Sequence, residues 1–402
     1  MAAYIFMKKL FKKSIILFLL GTTLVVTYNN VYKNKVVLVN KNYKKHVLGL
    51  KINKIEELNF KMDSLTEARS INYMQLYNDS KDDSFLTFIN NNTNVLYYYL
   101  IKDRQVKKTL DLKLFGFDID NPVQGYYIIN DDSLICYTYS DSKLTLINVN
   151  KGRVLTKTIN QQTSNSDQNV HPFASTRSPI LYSKKQNKLY FTGFTSQEGG
   201  PYSTDSKRNV VAIFSLTDGS IKHSVQYPEY YWGINWGGAG GLRQAFYDIQ
   251  NDRIVMSFMA SHDIKIFDNK LGKSENRYMG NSKVKSVESM DYSNNILDFL
   301  KSSTIYNYYL HTGNYLGIKF DSYREIWYRV AEYPELYEEK LQVHKKKSIT
   351  ISDKNFNTIG EYDLPVNEYD VNQLLISKEG LIIKSQKTSQ NELVMECVTF
   401  KK

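Results

Sequence analysis

The chain has 402 residues, 42% hydrophobic and 23% charged, which places it among globular proteins able to bury a large core. Its net charge of +11 does not mark a nucleic-acid binder: Lys8, Lys9, Lys12 and Lys13 crowd one apolar run, and the remaining bases are spread among acids without a basic-aromatic recognition signature. That charge suits an anionic membrane surface better, and Cys136 and Cys397, far apart within apolar strand patterns, exclude a Cys/His zinc site and read as two small buried hydrophobes.

The first recognisable element is an address. Met7 to Lys13 is basic, and Ser14 to Val26 is an apolar run. This pattern fits a bacterial-type secretory signal and is short for a spanning helix. Neither an Ala-x-Ala-like site nor a cysteine follows, so residues 1–27 read as a signal peptide or an uncleaved membrane anchor with the body exported. Residues 28–402 then read as one domain. Its first strand-like pieces, Val36–Val39, Val47–Ile52 and Leu58–Met62, are suited to completing a last blade. Leu65 to Leu76 reads as loop.

From there a unit recurs in which a polar turn launches a short strand rich in Val, Ile, Leu and Tyr. It is seen at Asn94–Tyr98, Ser133–Tyr137, Lys188–Phe191, Arg253–Met256, Glu325–Tyr328 and Gly380–Ile383. Strands such as Leu144–Val149, Val210–Leu216, Ile264–Asp268 and Ser348–Ser352 each end in an Asp/Asn/Gly turn, which is hairpin chemistry. The 32 tyrosines fit half-buried pleated surfaces. Repeats of strands and turns at this spacing predict an all-β fold, a β-propeller of six blades, with seven as the alternative. Tyr337 to His344 is the best helix candidate and is short, and His344 to Lys347 reads as a solvated turn. Thr158 to Ser178 and Phe194 to Arg208 read as long loops, where binding residues gather on a rigid ring.

Two stretches carry a family resemblance. The first runs from Leu86 through Thr93-Asn94-Val95-Leu96-Tyr97 to Gly125–Leu134. The second is Ser322–Val330, followed by Pro334. Over roughly residues 36 to 402 the chain resembles the domain of unknown function 4221 family. The resemblance implies a six-bladed propeller among exported proteins, mostly lipoproteins, of Bacteroidetes-type bacteria. This chain lacks the lipidation cysteine of that pattern, and the family supplies no catalytic residues to carry over.

The most unusual composition is Tyr230 to Arg243, with Trp232, Trp236 and five glycines. It fails both the phosphate-loop and the GxGxxG spacing. It reads either as a tight loop packed by aromatics or as a ligand-facing loop in which the tryptophans and Arg243 form a pocket. Tyr323 to Arg329 is predicted as an alternating strand. Arg324 or Arg329 there could enter the channel and grip an anion, or stack between blades. Asp118-Ile119-Asp120-Asn121 lacks the rest of a calcium loop and reads as a turn. His262 beside Asp263 is the only adjacent His–Asp pair, and no metal-ligand spacing or catalytic elbow is present.

The sequence therefore predicts an exported, noncatalytic propeller of the periplasm or cell envelope, with no cofactor, metal or nucleic acid. It would bind an unknown protein or a small-molecule or glycan ligand at the face where the long loops gather. Trp232, Trp236, Arg243, His262, Arg324 and Arg329 are its candidate contacts. The membrane is a further partner if the N-terminal segment is uncleaved. The alternative is an envelope hydrolase or lyase acting on glycan or peptide, for which His262, Asp263, Arg243 and Arg324 would have to share one pocket.

Overall fold

The computed structural model describes residues 35–45, 47–71, 73–159, 170–194, 208–238, 241–268, 272–290, 302–339 and 342–401. The signal or anchor segment, His46 and most of the two polar loops lie outside the described residues.

Six antiparallel sheets of consecutive strands stand around one axis as a six-bladed β-propeller. Blade one is Met74–Asn78, Ser84–Asn90, Val95–Leu100 and Gln105–Asp111; blade two is Val123–Asn130, Ser133–Thr138, Lys143–Asn148 and Gly152–Thr158. In blade three, His171–Pro172 and Leu181–Ser183 both pair with Lys188–Phe194, followed by Asn209–Ser215 and Ile221–Gln226. Blade four is Ala245–Gln250, Arg253–Phe258, Asp263–Phe267 and Ser274–Tyr278; blade five is Asn314–Asp321, Ile326–Glu339, Gln342–Asp353 and Thr358–Asp363. Blade six is Tyr369–Ile376, Leu381–Ser385 and Glu392–Lys401, with Lys51–Lys61 as its outer strand.

Burial explains the sequence pattern. Second and third strands are covered on both faces by neighbouring blades, so Val95–Leu100 and Arg253–Phe258 are buried almost throughout and read as continuous apolar runs. Outermost strands face water, and Gln105–Asp111 and Ser274–Tyr278 are correspondingly polar and exposed. Cys136 and Cys397 are both free and buried, in different blades.

Several local expectations need correction. Val37–Val39 pairs with Ser286–Glu288 instead of completing the last blade, and Met74 to Leu76 is not loop but opens the first strand of blade one. Tyr337 and His344 face each other across a long hairpin that prolongs the middle strands of blade five, so this segment is strand and not helix. His344 to Lys347 belongs to the same strand, with Lys345 buried rather than solvated. Tyr323 to Glu325 is a turn in which Glu325 adopts φ +52°, and the strand begins at Ile326. An α-helix, Ser302–His311, lies between blades four and five in a stretch where the sequence reading placed none.

The first strand of each blade faces the axis, and this gives the ring two unlike ends. One end carries the short turns 79–83, 131–132, 184–187, 251–252, 322–325 and 377–380. The other carries the long connections between blades. On that second end, residues 173–180 cross the axis as a plug. Thr176 Oγ1 accepts from Met74 N of blade one at 2.8 Å, and Arg177 donates to Asn372 of blade six at 2.8 Å and Gln244 at 3.1 Å. Arg177 also lies over the Phe246 ring at 4.6 Å.

Two glycines on inner strands make room for the plug. A Cβ on Gly125 would sit 2.4 Å from Ala174 Cβ, and one on Gly317 would sit 2.9 Å from Arg177 Cγ. Gly125→Val is therefore expected to cost about 1–3 kcal/mol through overpacking. Adding Ala174→Gly should recover a large part of that loss in urea denaturation. No recovery would mean that Gly125 serves something other than the plug.

Candidate functional site

Below the plug lies a cavity of about 450 Å³ that opens toward the short-turn end and takes lining residues from all six blades. Apolar side chains such as Leu76, Ile129, Leu181, Phe320 and Leu374 line it, and about half of the surface it exposes is polar. Polar groups come from Gln75, Tyr77, Asn78, Tyr127, Thr176, Asp248 and Lys319. A concave site that joins apolar walls to fixed polar groups can hold a small molecule. A second cleft of about 410 Å³, between blades six and one, shares Leu76, Asn78 and Ile376 with the cavity, so the two form one elongated depression.

Lys319 and Asp248 are the chemical centre. Lys319 is only 8% exposed, and its ammonium donates to Thr176 O at 3.0 Å. An ammonium has three donors, so this bond leaves it capacity toward the cavity. Asp248 Oδ2 accepts from Phe320 N at 2.9 Å, capping an inner-edge amide of blade five, and Oδ1 accepts from Ile249 N at 2.8 Å. Burial lowers the Lys319 pKa and raises that of Asp248, and the attraction between the two partly offsets both shifts. Such a pair in a cavity marks a candidate site. Burial also pushes the Tyr127 phenol up to about 12.

A second buried polar cluster sits on the plugged end, in blade five. Glu332 accepts from Asn314 at 3.1 Å and from Tyr309, with Lys347 at 3.5 Å and Lys345 at 3.7 Å. Lys345 donates to Thr312 O at 3.0 Å and to Asn314, and lies over the Tyr309 ring at 3.8 Å. Against the pull of burial, Lys345 and Lys347 hold the Glu332 carboxyl below its usual range. Burial brings Lys345 down to about 8, partly offset by Glu332. In the folded protein Lys345 thus releases its proton before the unfolded chain does. At this site the unfolded state binds more protons above about pH 8, so the contribution of Lys345 to stability rises with pH there, while buried tyrosines and cysteines whose pKa values burial raises act in the opposite sense. Urea midpoints compared between about pH 8 and about pH 9.5 should therefore show the wild type gaining stability relative to Lys345→Met. A parallel pH dependence in both would show that Lys345 makes no such contribution.

The residues singled out in the sequence lie elsewhere, and the cavity lining includes none of the six. Trp236 is buried and donates to Tyr230 O at 3.1 Å; Trp232 donates to Tyr227 O at 3.0 Å. Arg243, 1% exposed, donates to Ile234 O at 2.9 Å. This segment folds on itself, with Gly233, Gly237 and Gly238 at positive φ and Tyr231 tilted against Trp236. His262 bonds Tyr315 at 2.7 Å and Leu38 O at 2.8 Å. Arg329 is fully buried between blades four and five, where it donates to Ser257 and to the carbonyls of His262, Met279, Phe258 and Ser261. Arg324 braces the short-turn end, paired with Asp321 at 2.5 Å and donating to Ser377 O and Lys378 O at 2.8 Å.

His262, Arg243 and Arg324 therefore do not share a pocket. Asp118 accepts from Asn121 N within its bend, and among the described residues no three metal-ligating side chains converge. Sequence reasoning missed Asp248 and Lys319. Each sits on an inner strand between apolar neighbours, and a charge interrupting such a strand was the available signal.

The family model described as domain of unknown function (DUF4221) matches residues 49–363. A solved member of that family from Bacteroides vulgatus superposes with a TM-score of 0.70 at 17% identity, covering 88% of this chain and 99% of that one. A protein from Bacteroides fragilis, provisionally named an exported protein, superposes with a TM-score of 0.54 at 10% identity, covering 90% and 98%. At these identities the likeness establishes the fold. No curated protein matches the chain.

Proposed function

We propose that this chain, which belongs to the domain of unknown function 4221 family, is an exported, noncatalytic propeller that holds a cell-envelope ligand in its central cavity. The observation that carries the reading is Lys319, nine-tenths buried at the blind end of a cavity built by all six blades. The ligand offers an acceptor to Lys319 and lays an apolar body along Leu76 and Ile376 toward the cleft between blades six and one. Export rests on the basic and apolar pattern of Met7 to Val26, and the name of the Bacteroides fragilis protein agrees with it.

The test is titration calorimetry of the purified protein against cell-envelope peptides and glycans. The strongest binder is then measured on two variants. Lys319→Met removes the charged donor and should weaken binding roughly tenfold or more. Ile129→Trp fills the cavity without touching Lys319 and should weaken it as well. Unchanged affinity in both variants would remove the cavity from consideration.

A second reading, a hydrolase or lyase in the same cavity, is favoured by one observation: the opposed pKa shifts of Asp248 and Lys319. In that case Asp248→Asn abolishes turnover of a bound glycan or peptide while leaving its binding measurable.

A further inference from the structure

The two ends of the ring differ in exposed apolar side chains. Leu65, Leu114, Ile119, Phe173, Leu336 and Val366 are all 40% exposed or more, Leu114 reaching 80%. They lie on the connection before blade one, the connection between blades one and two, the plug, the blade-five hairpin and the connection before blade six. Every one of these belongs to the plugged end. Toward the short-turn end such side chains are fewer: Tyr323 on a turn, and Val106 and Val154 on outermost strands just past the turns 101–104 and 149–151. Scattered exposed hydrophobes need no explanation, whereas a set gathered on one end of a ring does.

The chain also enters the fold at the plugged end. Val37–Val39 pairs with Ser286–Glu288, part of the connection between blades four and five. The apolar run ends at Val26, and the described chain starts at Lys35. The intervening stretch can span at most about 30 Å when extended. An N-terminal segment seated in a bilayer would therefore hold this same end against the lipid.

We infer that the plugged end of the propeller is a membrane-docking face, with Leu114, Ile119 and Phe173 entering the interfacial region and the cavity mouth pointing away from the bilayer. The inference rests on the anchor reading of the N-terminal segment, and the occupant is a lipid surface. Partial insertion of a few apolar side chains is enough when a tether already holds the body nearby.

The full chain is reconstituted with vesicles of phosphatidylethanolamine and phosphatidylglycerol. Both native cysteines are buried, so Ile119→Cys or Tyr323→Cys provides a single labelling site for an environment-sensitive fluorophore. Flotation with the vesicles reports the anchor. Quenching by spin-labelled lipid reports docking. The expected result is flotation with strong quenching at residue 119, little at residue 323, and loss of the residue 119 quenching in a Leu114→Glu, Phe173→Glu background. Flotation with equal or absent quenching at both sites overturns docking and leaves the anchor standing. Absence of flotation overturns both. Shielding of residue 119 without lipid, in a chain that runs as a dimer, assigns the face to a second copy and also overturns the inference. None of these outcomes bears on ligand binding in the cavity.

Discussion

Arg329→Met is expected to lower the stability of the ring by about 4 kcal/mol. The guanidinium is fully buried and has no carboxylate within its hydrogen-bonding set. It binds the carbonyls of Phe258, Ser261, His262 and Met279, and its plane lies 3.9 Å from the centre of the Tyr315 ring. Burial brings its pKa down to about 10, which still leaves it charged at neutral pH. Methionine fills similar space but leaves several buried acceptors without donors, at roughly 1–3 kcal/mol each before relaxation. Lysine cannot replace the planar fork and should recover little. Urea denaturation checks both variants, and a loss under about 1 kcal/mol would show that the carbonyls find other donors.

Phe60→Ala is expected to cost about 3–5 kcal/mol, because it acts at the seam where the ring closes. Phe60 is 1% exposed on the N-terminal strand of blade six, opposite Leu393, and meets the Tyr99 ring of blade one edge-on at 5.7 Å. It therefore joins the outer strand to its own sheet and that sheet to the next blade. Cutting the side chain back leaves a void on both sides. A broadened thermal transition should accompany the loss, with blade six opening before the rest. An unshifted midpoint would mean that the seam is held by the strand ladder alone.

The ring was legible in the sequence because its cause is local. Strands buried on both faces leave apolar runs such as Val95 to Leu100, and the turns between them need Asn, Asp or Gly. The candidate site was not legible for the converse reason. Lys319 and Asp248 come from different blades, and each serves its neighbour's backbone. Only the closed ring brings them together. The conspicuous local compositions misled in the opposite sense. Tyr230 to Arg243 is rich in Trp and Gly because a chain folding tightly on itself needs both, and Arg329 stands out because a buried junction between blades needs a rigid donor. The charge run at His344 to Lys347 reads as solvent-facing, yet the Glu332 cluster buries one lysine of the three.

The plug gives the two ends separate roles. It closes the loop-bearing end, so a ligand reaches Lys319 from the short-turn end, opposite the face proposed to meet lipid. The most direct measurement is a crystal structure of the protein with the strongest binder from the calorimetric screen. Ligand density is expected inside the ring, with an acceptor atom within hydrogen-bonding distance of Lys319 Nζ and an apolar portion against Leu76 and Ile376. Density on the outer surface of the plugged end, with the cavity holding only solvent, would contradict it.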